Sequence, residues 1–81
     1  MQNARMNYFI RVTNVGIFNA LVEAAENATE GYPVAFHARR LGGYFELITA
    51  DAALWHELYL YGQMLAQAQD EDIDGGELLT W

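Results

Sequence analysis

Eighty-one residues without a single Cys, Ser or Lys exclude thiol and serine nucleophiles, lysine Schiff bases and cysteine-based metal sites. A hydrophobic content of 53% is too high for disorder, and the length sets one domain, residues 1–81, able to bury roughly 60–65% of its unfolded surface. The net charge of −7 is split unevenly: residues 1–40 hold four Arg against three Glu, whereas eight carboxylates and no Lys or Arg follow Arg40.

Met1–Met6 shows no periodicity and reads as a flexible lead. Asn7–Thr13 then alternates, with Tyr8, Ile10 and Val12 on one side and Phe9, Arg11 and Thr13 on the other, the period of a strand. Asn14 offers an N-cap to a helix with Phe18, Leu21, Val22 and Ala25 as its inner stripe, flanked by Ile17, Ala24 and Ala28 and closed by Gly31 before Pro33.

Val34–Leu41 and Tyr44–Thr49 flank Gly42-Gly43, a pair suited to the positive φ angles of a tight hairpin. That register sets Leu41 opposite Tyr44, Arg40 opposite Phe45, Arg39 opposite Glu46, Ala38 opposite Leu47 and His37 opposite Ile48. Val34, Phe36, Ala38, Phe45 and Leu47 then form a core face, and Arg39 and Glu46 pair across the strands on the other.

Asp51 caps a second helix from about Ala52 to Gln69, with Leu54, Leu58, Tyr61 and Leu65 as its inner stripe. Trp55, Tyr59, Leu60 and Met64 extend its apolar arc beyond one buried stripe. Asp70–Gly76 reads as an acidic turn, and Glu77–Trp81 is β-prone and suited to return as an edge strand. The order β-α-β-β-α, with that fourth strand, is the order of an α+β ferredoxin-like sandwich whose helices cover one face of a sheet rich in antiparallel pairs. The fold carries no unique function.

Asp70-Glu71-Asp72-Ile73-Asp74-Gly75 matches the first half of a calcium loop, but the twelfth position, where a bidentate Glu belongs, is Trp81. A solvated acidic turn is the simpler reading, with no metal and no cofactor. His37 and His56 have no partners at metal-ligand spacing, and no activated nucleophile is visible, so the expectation is a protein that is not an enzyme. The open sheet face would carry Phe9, Arg11, His37, Arg39 and Tyr44, a mixture that stacks single-stranded bases in RNA-recognition modules. Four Arg against a net charge of −7 oppose direct nucleic acid binding.

Asp70, Glu71 and Asp72 fall at the carbonyl end of the second helix, where the macrodipole disfavours anions by about 0.3–1 kcal/mol each. A cluster that opposes a local rule suggests a functional demand. The expected contact residues are Asp70, Glu71, Asp72, Asp74, Glu77 and Glu57, steering a basic protein partner, with Trp55, Tyr59 and Met64 contributing most of the affinity. No segment approaches the length of a membrane span and none reads as a signal peptide, so the expected location is the cytoplasm, away from membranes. The rival reading is a small accessory domain that homodimerises through its sheet or second helix, its acidic end serving solubility.

With its small size, single α+β domain, lack of Cys and acidic stretch Asp70-Glu71-Asp72-Ile73-Asp74, the chain resembles, at class level, the small acidic inhibitors that phages encode against bacterial defence. Notable among these are the anti-CRISPR proteins, several of which imitate nucleic acid charge. The resemblance implies a stoichiometric block of a basic, nucleic-acid-binding groove in the host cytoplasm. The acids here are bunched near the carboxyl end, whereas a duplex mimic would spread them over a surface, which favours a local block of a basic channel over full mimicry.

Overall fold

The computed structural model describes residues 5–31 and 36–80. Six elements follow one another: β1 (Arg5–Val12), α1 (Val15–Ala28), β2 (Phe36–Leu41), β3 (Tyr44–Thr49), α2 (Ala52–Ala68) and β4 (Ile73–Thr80). The strands form one sheet in the order β2-β3-β1-β4, antiparallel throughout. This is the ferredoxin-like arrangement, with the helices on one sheet face and the other face open.

The alternation along β1 decides the layers. Ile10 and Val12 are buried under the helices with Leu47 of β3, and they meet Ile17, Phe18, Leu21 and Ala25 of α1 and Leu54, Leu58 and Ala66 of α2. Each helix begins on the cap its sequence offers. The Asn14 side chain accepts from Ile17 N at 3.0 Å, and Asp51 Oδ1 accepts from Ala53 N at 2.9 Å and Leu54 N at 3.0 Å. These caps satisfy amide donors that the first helical turn leaves open. Asn14 Nδ2 also donates to Gln69 Oε1 at 3.3 Å, joining the start of α1 to the end of α2.

The hairpin follows the expected register pair for pair, from Leu41↔Tyr44 to His37↔Ile48, and Gly43 takes the positive φ of 99° that the turn needs. Val34, expected at the start of its first strand, lies outside the described residues, as do Pro33 and Trp81. Phe36 is half-buried but Ala38 is exposed, because the helices reach β3 and leave β2 at the rim.

Three expectations are corrected. The first strand begins at Arg5 rather than Asn7. The first helix is closed by Thr29, whose hydroxyl donates to Ala25 O at 3.0 Å, two residues before Gly31. The acidic turn ends at Asp72: Ile73–Gly76 belongs to β4, where Ile73 pairs with Val12, Asp74 with Arg11, Gly75 with Ile10 and Gly76 with Phe9. Asp and Gly are poor strand formers, and the backbone of β1 overrides that preference by supplying a complete pairing edge.

The inner stripe of α2 is also rotated from the expected one. Leu54, Leu58, Gly62 and Ala66 are buried, while Tyr61 is 36% exposed and Leu65 half-buried. A Cβ on Gly62 would stand 3.0 Å from Ile73 Cδ1 and 3.4 Å from Leu21 Cδ1. Small residues thus occupy the line where α2 approaches α1 and β4.

Candidate interaction surface

On the open face, Glu46 is 1% exposed although no helix covers it. Arg11 Nε donates to its Oε2 at 2.8 Å from β1. From β2, Arg39 Nε donates to its Oε1 at 3.0 Å, and Arg39 Nη2 donates to the same oxygen. Burial raises the Glu46 pKa, yet the hydrogen bonds and charges of Arg39 and Arg11 together outweigh it and hold the carboxyl below its ordinary value. The same hydrogen bond, with the fields of Glu46, Tyr44 and Asp74, raises Arg11 against a smaller opposing effect of burial. The Arg11 guanidinium lies 4.5 Å from the Phe9 ring centroid and 5.6 Å from that of Tyr44, so two rings flank it.

The Arg39–Glu46 pair was legible from the hairpin. The second clamp, Arg11, was missed because its register against β3, Arg11↔Glu46, depends on strand order. Its signal was the odd parity of Arg11 beside Phe9, which already placed it on the open face.

The acidic segment is built by a helix ending. Asp70 takes a left-handed φ of 56°, Asp70 N donates to Gln67 O at 3.3 Å, and Glu71 N donates to Ala66 O at 2.8 Å. These paired bonds form a Schellman motif whose left-handed position usually belongs to Gly. The chain then enters β4, the outermost strand, so Asp72 and Asp74 fall on the open-face side and Glu77, opposite Tyr8, falls on the helix side. Asp70, Asp72, Asp74 and Glu77 are exposed and Glu71 is half-buried. Among the described residues none of these five forms an ion pair; the recorded pairs are Arg11–Glu46 and Arg39–Glu46. The strand conformation of Ile73–Gly76 replaces the wrap of a calcium loop, and among the described residues no group of three His or carboxylate side chains is placed to hold a metal ion. A shallow cleft of about 320 Å³ is lined by Arg11 and Tyr44 together with Asp72 and Asp74.

The remaining expected contact residues divide. Glu57 lies thirteen positions before Asp70, roughly 20 Å along the helix axis. It lines a groove with Ala24, Ala28 and Tyr61 between the helices, so the structure does not bring it to the acidic segment. Trp55 and Tyr59 stack on each other with centroids 5.4 Å apart. Trp55 also lies 5.2 Å from Tyr8, and its Nε1 donates to Phe9 O at 2.9 Å. Tyr59 covers Gly75, where a Cβ would come within 2.7 Å of the ring. Both aromatics pack over β1 and β4 on the helix side of the sheet, and both are half-buried. Met64 is 62% exposed and Leu60 53%. They sit one turn apart on the side of α2 away from the sheet, and composition alone did not separate them from the packed aromatics.

No family model matches the chain, and no curated protein matches it. A solved structure described as "De novo designed protein Foldit4" is similar over 96% of each chain, at 17% identity and a TM-score of 0.45, a likeness too slight to argue from. No helix among the described residues is long and apolar enough to cross a membrane.

Proposed function

We propose that this protein is a non-enzymatic inhibitor acting by stoichiometric contact. It presents the carboxylates of the α2–β4 turn and of β4 to a basic, nucleic-acid-binding groove of a bacterial defence complex, in the manner of the phage-encoded anti-CRISPR proteins that it resembles. The observation that supports this reading is the position of Asp72 and Asp74. Asp72 is the last residue of the turn and Asp74 lies two positions on, at the start of an outermost strand; both are exposed, on the same side as the open sheet face, and neither is ion-paired among the described residues.

The local chemistry agrees. Asp70 occupies a left-handed position that Gly would fill with less strain, and three acids at a helix carbonyl end oppose its dipole. A demand beyond the stability of this domain accounts for both. In the proposed complex the acids steer approach and set register, and Leu60 and Met64 on the outer face of α2 add apolar contact area.

The test is capture from bacterial lysate at low and high salt, with wild type compared against the fourfold variant Asp70→Asn, Glu71→Gln, Asp72→Asn, Asp74→Asn. Wild type retains nucleic-acid-binding proteins that salt releases, and the variant loses them. Identical capture by both would remove the electrostatic reading.

A further inference from the structure

The two edges of the sheet carry opposite charge. The β2 edge presents His37, Arg39 and Arg40, all exposed. Arg40 lies 5.5 Å from the Phe45 ring centroid and pairs with no carboxylate among the described residues. The β4 edge presents Asp74 and Glu77, with Asp72 of the turn immediately before it. Among the described residues each of these strands has one bonded neighbour, so each leaves a row of backbone donors and acceptors open there to another strand.

Charge on an edge is a common defence against edge-to-edge association. Equal charge on both edges would defend against every pairing. Opposite charge does not. Pairing β2 with β2 of a second copy sets Arg against Arg, and pairing β4 with β4 sets Asp against Asp, each unfavourable. Pairing β4 of one copy with β2 of the next sets anions against cations. The distribution thus forbids the two symmetric modes and selects the head-to-tail one.

Geometry permits that mode. Strands alternate in direction across the sheet, and β2 and β4 stand three places apart, so they run opposite ways. A second copy shifted sideways in the same sheet plane brings its β2 antiparallel to β4 of the first, with helices on the same face. Setting Arg39 opposite Asp74 matches open face to open face. It also lays all six residues of β2 (Phe36–Leu41) along 72–77, the acidic part of the β4 edge, with Leu41 opposite Asp72 and His37 diagonal to Asp74.

We infer that the occupant of the acidic β4 edge, when no other protein is present, is the cationic β2 edge of a second copy of this chain, in a salt-sensitive head-to-tail association. Such contacts do not close on themselves in pairs, so growth continues until a ring forms or the ends stay open. The net charge of −7 opposes it at long range. At physiological salt that repulsion is screened beyond about 8 Å, while the facing edge charges are not. A cationic partner would compete for the same strand.

The experiment is sedimentation velocity of the purified protein over a concentration series, so its failure is separate from failure of the lysate capture. The average mass exceeds that of one 9.2 kDa chain at least twofold in about 0.15 M salt at high concentration, and falls to one chain in about 0.5 M salt. Asp72→Lys with Asp74→Lys gives a monomer, and His37→Glu with Arg40→Glu gives a monomer. The two variants mixed in equal amounts associate again as one-to-one pairs, because the intact β2 edge of the first meets the intact β4 edge of the second, whereas the mutated edges set the lysine at position 74 against Arg39 and stay apart. Circular dichroism confirms that both are folded. A wild type that stays monomeric throughout overturns the inference, as does association that persists in both single-edge variants, or a mixture that does not recover.

Discussion

Arg11 Nε donates to Glu46 Oε2 at 2.8 Å between neighbouring strands, closing one side of a carboxylate that Arg39 closes from the other. The result is a buried anion on a sheet face that carries no second layer among the described residues. Its Coulomb attraction to two cations, only partly screened because their side chains are 37% and 53% exposed, offsets the cost of desolvating the carboxylate.

The Glu46 carboxyl is held below its ordinary value of 4.5 because the hydrogen bonds and charges of Arg39 and Arg11 together outweigh burial, the largest single effect. A carboxyl with a lower pKa in the folded state adds stability that is fully present above the unfolded pKa and is lost as pH falls through the folded one. Urea unfolding of Glu46→Gln at neutral pH shows a loss of about 1–3 kcal/mol. The gap between wild type and variant holds down to about pH 5.5 and narrows below about pH 4.5. A gap that stays constant into strong acid would mean that the arginines do not stabilise the ionised form.

Gly75→Ala destabilises the domain by about 1–3 kcal/mol through overpacking. The added methyl would stand 2.7 Å from Tyr59 Cε1 and 3.0 Å from the backbone oxygen of Phe9. The ring can move and the backbone cannot. In the double variant with Tyr59→Leu, the cost of the alanine falls by a measurable part but does not vanish, and thermal unfolding of the four species reads that coupling. Full additivity would show that Tyr59 does not rest on Gly75 in solution.

Asp70→Gly raises stability by about 0.5–1.5 kcal/mol, since Gly adopts the left-handed φ of 56° without strain and the change removes an anion from a helix carbonyl end. If the acids steer a cationic partner as proposed, the same variant binds it less tightly, because one of the steering charges is gone. Stability and binding therefore move in opposite directions at this residue. A loss of both would refute the view that Asp70 is kept at a local cost.

The local signals in the chain were sufficient wherever a few neighbouring residues settle the geometry. Asn14 and Asp51 cap as their chemistry requires, and Gly42-Gly43 fixes a register that carries Arg39 to Glu46. Long-range demands were not legible in this way. Gly75 and Gly76 read as turn residues, but they are strand residues that make room for Tyr59 and face Phe9. Gly62 has no place in the stripe read from helical spacing, yet it is the close approach of α2 to Leu21 and Ile73. Arg11 met Glu46 only once β1 lay beside β3. In each case the deciding neighbour is far away in sequence.

The apolar residues of α2 separate by what they touch. Trp55→Phe removes the bond from Nε1 to Phe9 O and costs about 1 kcal/mol, read as a lower urea midpoint. Leu60→Gln with Met64→Gln changes stability by less than about 0.5 kcal/mol, because the two side chains are 53% and 62% exposed. If Leu60 and Met64 supply apolar contact to the partner, this second variant dissociates about tenfold faster while its salt-dependent approach is unchanged, since charge governs association and packing governs residence. Trp55→Phe leaves dissociation as in wild type. The reverse pattern, with Trp55 controlling residence and the exposed pair silent, would return the contact to the stacked aromatics and require them to leave the sheet on binding.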